Sequence, residues 1–299
     1  MKDQKRAYLF AISAILMWST VASAFKYTLQ YIDFPHLLFY ASATAVVVLF
    51  VLIATTGKPA LFRQIDKGLI FRSALRGFLN PFAYYLVLLK AYDLLKAQEA
   101  GTLNYIWPIT LVLLSIPFLG QKIGFKSILA IFTSFFGILI ISTEGKITTL
   151  TFREPLGVVL AVGSSLFWAL YWILNMRDKQ DELLKLFLNF CFGTLFIAIT
   201  ILLKTGMYVP DIRGIAGSVY AGVFEMGLTY FLWLKALKLS ATTARVANLV
   251  YLSPFVSLII ISVTLGERIL PATVIGLIFI IAGIVFQHSA AEGKGKQNT

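Results

Sequence analysis

Long apolar blocks alternate with short polar interruptions from one end of the chain to the other. Ten blocks stand out, at 7–29, 35–56, 69–92, 97–118, 124–143, 155–175, 185–204, 214–237, 243–265 and 271–288. Most run to about 20 residues, the length at which an α-helix crosses a hydrocarbon core of about 30 Å. Backbone amides and carbonyls find no water in such a core, so a spanning segment must satisfy them internally, as a helix does. The blocks therefore predict an all-α integral membrane protein with ten transmembrane helices. The polar stretches between them are too short to hold a soluble domain.

Composition narrows the solvent. The 299 residues are 59% apolar and 13% charged, against roughly 25% charged in a soluble domain, and the mean hydropathy is +0.83. A net charge of +12 suits nucleic acid only when it is gathered on a wet face. Here Lys and Arg punctuate the apolar blocks as loop charge does, so no nucleic-acid partner is expected. With the N-terminus inside, sixteen Lys and Arg fall on the inner side and eight on the outer, while Arg76 and Arg245 lie within spans. That excess places both termini in the cytoplasm. Lys2, Lys5 and Arg6 before an apolar run that reaches Ala22-Ser23-Ala24 imitate a signal peptide. The run continues too far past Trp18, and a counterpart recurs in the second half, so it is read as the first span.

Cys191 stands alone, and His36 and His288 lie near opposite ends. Neither a disulfide framework nor a His-based metal site is expected, and no cofactor. No H-E-x-x-H and no Asp pair lies within the spans, so the chain is not read as an enzyme.

The two halves repeat. An offset of 145 pairs Tyr85 with Tyr230, Lys90 with Lys235 and Ala91 with Ala236; an offset of 146 pairs Tyr105 with Tyr251, Pro108 with Pro254, Gly120 with Gly266 and Gly137 with Gly283. In the first and sixth spans an offset of 150 pairs Trp18 with Trp168. Leu and Ala matches arise by chance in so apolar a chain, whereas Tyr, Lys, Pro and Gly matches in one order do not. The units are residues 1–148 and 149–299. Five helices per unit is an odd number, so the second unit enters the bilayer from the opposite side. Inverted repeats of this kind surround midplane substrate sites in secondary transporters. A duplicated membrane scaffold without transport is the other reading.

The run Leu103-Asn104-Tyr105-Ile106-Trp107-Pro108 precedes Leu119-Gly120-Gln121-Lys122, and Tyr251-Leu252-Ser253-Pro254 precedes Leu265-Gly266-Glu267-Arg268. Together with Tyr230-Phe231-Leu232-Trp233-Leu234-Lys235-Ala236-Leu237, they resemble the paired EamA repeats of the drug/metabolite transporter superfamily over nearly the whole chain. The resemblance implies ten helices in two five-helix repeats, in the cytoplasmic membrane of a prokaryote. It also implies alternating-access export of small organic metabolites, amino acids among them. A sugar-phosphate or nucleotide-sugar type exchanger is the alternative. Gln121 stands where the family has Glu, so any role of an acid there is lost. The chain further resembles the aromatic amino-acid exporter branch, which implies that Trp18, Asn80, Tyr84, Trp107, Trp168 and Pro254 line a central cavity. Asn80 is the position that leaves the substrate open.

The residues themselves point the same way. Trp18, Trp107 and Trp168 fall near mid-span rather than at the interfaces where Trp gathers, and a buried indole N–H needs a partner. With Tyr84, Tyr85, Tyr105 and Tyr251 on the same inner helices, they suggest an aromatic cavity; packing alone is the other reading. Pro108, Pro254 and Pro81 each remove a helix hydrogen bond at depth, either as plain kinks or to free carbonyls toward a wet cavity. Glu225 is the one carboxylate near the middle of a span, and its repeat mate is Asn80. An intramembrane acid marks function by default; proton carrier, ligand for a substrate amine and partner of a buried Arg such as Arg76 all fit it. Arg72, Arg76, Asn80 and Tyr84 recur every fourth residue, one polar stripe leading inward. Glu99 and Arg245 are repeat mates near opposite ends and suit symmetric gates, although Arg245 also suits snorkelling. The expected partners are a small-molecule substrate and the bilayer, with a monomeric state allowed for.

Overall fold

The computed structural model describes residues 3–107, 110, 113–114, 117–118, 125–146, 154–178, 180–204, 206–239, 249 and 253–295, and every regular element among them is helical. Helices α1 (Gln4–Thr28) and α2 (Phe34–Thr55) are continuous. The third span divides into α3 (Lys67–Gly77), a π-helical turn over Phe78–Ala83, and α4 (Tyr84–Leu94). After α5 (Ala97–Asn104) come α6 (Phe125–Ser142), α7 (Pro155–Arg177) and α8 (Glu182–Lys204). The eighth span divides like the third, into α9 (Ile212–Ala221), a π turn over Gly222–Gly227, and α10 (Leu228–Leu239). Helices α11 (Ser253–Leu265) and α12 (Pro271–Gly295) complete the chain. Among the described residues, five helices are long and apolar enough to cross a membrane: Gln4–Thr28, Phe34–Thr55, Pro155–Asn175, Glu182–Lys204 and Ile212–Trp233. Pro108, Gly120, Gln121, Arg245 and Tyr251 lie outside the described residues.

The scarce acids start helices. Asp3, Asp33, Asp66 and Asp211 accept the amides of Arg6, His36, Leu69 and Arg213 at 3.1, 3.0, 2.5 and 2.8 Å. Each satisfies a donor that the first helical turn leaves unpaired and places negative charge at the positive end of the macrodipole. Gly57 and Gly266, at φ +71° and +66°, follow the ends of α2 and α11, in a conformation that costs a side-chain-bearing residue energy.

Burial is inverted relative to a soluble globule. Leu9, Phe132, Val159, Leu202 and Val263 face outward, while Arg76, Asn80, Lys185, Asn189, Ser218 and Thr229 are buried. The outer surface is matched to hydrocarbon, and the polar groups hydrogen-bond or pack inside.

The two π turns have different local causes. Pro81 has no N–H to give, so the regular ladder fails there. Asn80 adopts an extended backbone (φ −152°, ψ 121°), and the Tyr84 amide reaches back five residues to Leu79 O. The second turn holds no proline; Leu228 N reaches Val223 O, and the Thr229 hydroxyl donates to Phe224 O, the carbonyl five residues back. Both turns begin beside a close helix contact. A Cβ added to Gly77 would sit 2.4 Å from Asn189 O on α8, and one on Gly222 2.4 Å from Ala41 O on α2. Lipid supplies no hydrophobic drive between helices, so backbones pack through small residues at such approaches. Helix α4 lies along α7, α10 and α11 along α1, and α6 against α12.

These contacts predict that Gly77→Ala and Gly222→Ala each destabilise the protein by about 1–3 kcal/mol, the usual cost of overpacking. Gly163, whose added Cβ meets nothing within 4 Å, tolerates Ala. Thermal unfolding of the detergent-purified variants checks this, and equal melting of all three would show that the glycine contacts do not hold the bundle.

Candidate functional site

Trp168, Tyr171 and Trp172 stand on one face of α7 at i, i+3 and i+4, and that face gathers rings from other helices. Trp168 lies 4.8 Å from Tyr84, 5.8 Å from Trp172, 6.1 Å from Tyr230 and 6.4 Å from both Trp107 and Tyr171, between ring centroids. Tyr230 extends the cluster to Phe190 at 6.2 Å and Trp18 at 6.5 Å, and Trp18 meets Trp233 at 5.4 Å. These separations are those of attractive edge-to-face and tilted pairs. The rings come from α1, α4, α7, α8 and α10, with Trp107 just beyond α5.

Glu225 sits inside the second π turn, a feature that often accompanies functional sites. Tyr85 Oη donates to its Oε1 at 2.8 Å, and Tyr84, Tyr105 and Tyr230 stand within electrostatic reach of the carboxylate. The residue is deep in the bundle yet not fully sealed, as a side chain bordering an internal crevice must be. Among the described residues, no cation pairs with it.

Several polar atoms in this region have nothing to bond. Trp168 Nε1, both amide atoms of Asn80, Tyr230 Oη and Asn189 Oδ1 are buried without partners. Tyr230 Oη lies beside the Asn80 amide without closing a hydrogen bond. An orphaned buried polar group costs about 1–3 kcal/mol, so several in one place set this region apart from a finished core. Neighbouring groups are satisfied: Asn104 Nδ2 donates to Tyr84 Oη at 3.0 Å, Ser164 Oγ to Asn104 Oδ1 at 3.2 Å, and Asn189 Nδ2 to Tyr171 Oη at 3.3 Å. Tyr105 lies beside the Ser253 side chain, Ser253 Oγ is 3.0 Å from Ser19 Oγ, and Pro254 is buried next to it.

Charged groups gather toward both ends of the bundle. At one end Asp178, just past α7, takes Arg72 Nε at 3.2 Å and also Arg76, and Lys58 pairs with Asp181 at 2.6 Å. Burial works against the charge of Asp178, but the Gln180 amide and the two guanidiniums outweigh it and hold the carboxyl below its usual range. The stabilisation this gives is complete at neutral pH and fades only as pH falls through that lowered value. Lys185, fully buried, donates to Asp178 O at 3.0 Å and Glu182 Oε1 at 3.1 Å. At the opposite end, Lys26 Nζ donates to Tyr92 O and Leu95 O at 2.8 Å each. There Glu267 accepts the first amides of α5, Ala97 N at 3.1 Å and Gln98 N at 3.3 Å, and Glu99 lies 3.9 Å from Lys96 Nζ.

Trp18, Asn80, Tyr84, Trp107, Trp168 and Glu225 thus come together, with Tyr105 and Pro254 on the Ser253 side. Arg76 and Glu99 do not join them. Of the three readings of Glu225, pairing with Arg76 is not seen, because Arg76 reaches toward its own end of the bundle and binds Asp178. Sequence reasoning left Tyr171, Trp172, Asn104, Asn189 and Asp178 out of the site. The spacing of Trp168, Tyr171 and Trp172 carried a signal for the first two; none marked Asp178. A separate groove of about 320 Å³ between α11 and α12 is lined by Phe255, Ile278, Ile281, Ala282, Val285 and Phe286. Its wholly apolar lining suits acyl chains and offers a polar solute nothing.

The model of the EamA-like transporter family matches residues 5–143 and again 155–287. The uncharacterized transporter YvbV of Bacillus subtilis is 21% identical over 298 residues, covering 97% of this chain and 93% of that protein. An uncharacterized transporter of Clostridium kluyveri is 28% identical over 207 residues, 65% of this chain and 64% of its own length. The aromatic amino acid exporter YddG of Escherichia coli is 27% identical over 180 residues, 56% of this chain and 58% of that one. A solved crystal structure shares the fold with a TM-score of 0.67, over 95% of this chain and 96% of the other, at 20% identity.

Tyr230→Phe deletes an orphaned hydroxyl and keeps the ring. The melting temperature of the ligand-free protein is expected to rise, by as much as the relief of about 1 kcal/mol allows. A fall would show the hydroxyl to be bonded in the resting protein.

Proposed function

The chain belongs to the EamA-like transporter family of the drug/metabolite transporter superfamily, and on that premise we propose that it is a secondary transporter exporting small organic metabolites across the cytoplasmic membrane by alternating access. The substrate site is the aromatic cluster of Trp18, Asn80, Tyr84, Tyr105, Trp107, Trp168 and Glu225 with Pro254; Tyr251, outside the described residues, is kept as a member on the sequence alone. The observation that carries this reading is Glu225: a carboxylate in the second π turn, bonded to Tyr85 and, among the described residues, without a cation. A substrate amine would meet it directly, and the ring faces would favour a cation. The name of the Escherichia coli relative supports aromatic amino acids as one class to test.

Ten helices in two inverted five-helix repeats, residues 1–148 and 149–299, remain the favoured architecture. The two π turns fall at repeat-equivalent positions, and they contain the repeat mates Asn80 and Glu225. Their packing is exchanged in the same sense: α3 on α8, and the second π turn on α2. The double family match agrees. Both termini are placed in the cytoplasm, which puts Arg76 and Asp178 at the inner end and Lys26 and Glu267 at the outer. Glu99 and Arg245 then belong to the two gates. A sugar-phosphate or nucleotide-sugar exchanger is less supported, because phosphate recognition wants free cations whereas Arg76 and Lys185 are already held by Asp178 and Glu182.

Reconstituted in proteoliposomes and offered a solute panel with and without a pH gradient, the wild type is expected to carry amines. Glu225→Gln is expected to cut that uptake at least about tenfold in both conditions, as loss of a charged partner does. Loss confined to the pH gradient would make Glu225 a proton carrier, and no loss would remove it from the site. For topology, cysteines introduced at Gly145 and Gln180 in a Cys191→Ser background should label from outside and inside respectively; the reverse pattern would overturn the orientation.

A further inference from the structure

Charge around the cluster separates one kind of amine from another. Glu225 can take an ammonium group at the carboxylate oxygen that Tyr85 does not bind, which among the described residues meets no cation; Tyr84 and Tyr230 lie within electrostatic reach, and both pack on Trp168. A second charge of opposite sign on the same molecule meets a different situation. Arg76 is buried one turn before Asn80, beside Tyr171, and its Nη1 has no partner. Its Nη2, however, is already bound to Asp178, which also holds Arg72.

We infer that the cluster selects flat organic amines that lack a carboxylate, and that Asp178 sets this preference by holding Arg76. The inference rests on the transporter reading and narrows its substrate. Apart from Arg76 Nη1, whose guanidinium charge Asp178 already balances, the unpartnered donors Trp168 Nε1, Asn80 Nδ2 and Tyr230 Oη are neutral. They suit a hydroxyl, an ether or a ring nitrogen, whereas a desolvated carboxylate needs a paired charge. An amino acid must therefore share an Arg76 whose charge Asp178 already balances, or leave its own carboxylate uncompensated among tyrosines. An amine faces neither cost. Asp178 is a positioning residue here: it touches the guanidinium and not the solute.

The experiment uses the purified full-length chain in detergent. Binding of 2-phenylethylamine, phenylalanine and 3-phenylpropionate is followed by tryptophan fluorescence. The amine is expected to bind at least tenfold more tightly than phenylalanine and the acid most weakly, with amine binding lost in Glu225→Gln. Asp178→Asn keeps an acceptor for the Gln180 amide but turns an N–H group toward the guanidinium. It should narrow the amine-to-amino-acid ratio at least fivefold. A ratio of two ligands on one sample does not depend on how much of it is folded. Phenylalanine binding as tightly as the amine in the wild type, or a ratio unmoved by Asp178→Asn, overturns the inference while leaving the transporter reading intact. If none of the three ligands binds, the inference falls as well; the transporter reading falls only if the proteoliposome panel also finds no carried solute.

Discussion

A helix in hydrocarbon cannot leave its own hydrogen bonds unmade, and the whole arrangement of this protein follows from where that rule is relaxed. Unpaired backbone groups at depth cost several kcal/mol in lipid, so breaks are tolerated only where protein or a wet space receives them. Among the described residues the wide turns are at Phe78–Ala83 and Gly222–Gly227. Both lie in the interior, and both abut a glycine pressed to within backbone distance of a neighbouring helix. The close contact and the break belong together: the glycine brings two backbones near, and the turn beyond it redirects the chain and its polar side chains inward. Asn80 and Glu225 are the residues so placed. The caps on α1, α2, α3 and α9 serve the same rule at the helix ends.

Much of this was legible in the chain. The apolar blocks at 35–56 and 124–143 differ from the observed helices, Phe34–Thr55 and Phe125–Ser142, by one residue at each end, because hydropathy and helix boundary both follow the edge of the bilayer. Pro81 announced the first break, since a missing N–H is written in the residue type. Nothing of the kind announced the second. Gly222 and Gly227 permit a wide turn but do not require one, and the Thr229 hydroxyl that bonds to Phe224 O has many unremarkable counterparts. Trp168 was readable as a mid-depth indole, although its role as the ring that Tyr84, Trp107, Tyr171, Trp172 and Tyr230 all touch depends on three-dimensional packing. The Arg76 partner was beyond reach. Asp178 lies 102 positions away in a loop, and an acid in a loop looks like solvated charge until the fold closes over it.

The cluster is costly as it stands, and the cost is informative. A core selected for stability alone would replace Asn80 and Tyr230 with apolar residues of similar size, because orphaned polar atoms oppose folding. Sites that must receive a solute keep such groups, trading stability for function. The ends behave differently. There the polar groups are satisfied: Lys185 caps the carbonyl of Asp178, Glu267 the amides of α5, and Lys26 the carbonyls that end α4. On the proposed function, the ion pairs toward the ends leave the orphaned polar atoms of the middle to meet a solute.

On the proposed two-fold relation, the backbone is nearly symmetric but the chemistry is not. The wide turns are equivalent, yet one presents a neutral amide at Asn80 and the other a carboxylate at Glu225. The aromatic residues Tyr85 and Tyr230 are mates, yet Tyr85 donates to Glu225 while Tyr230 lies beside Asn80 with its hydroxyl unused. A symmetric scaffold lets inward- and outward-open states lie close in energy, since each is the other with the repeats exchanged. The unlike residues at equivalent positions then decide how a solute lies within it. On the proposed function, one charged end of the solute meets Glu225 and the neutral remainder lies across Trp168 toward Asn80. Duplication supplies the motion, and divergence between Asn80 and Glu225 supplies the recognition.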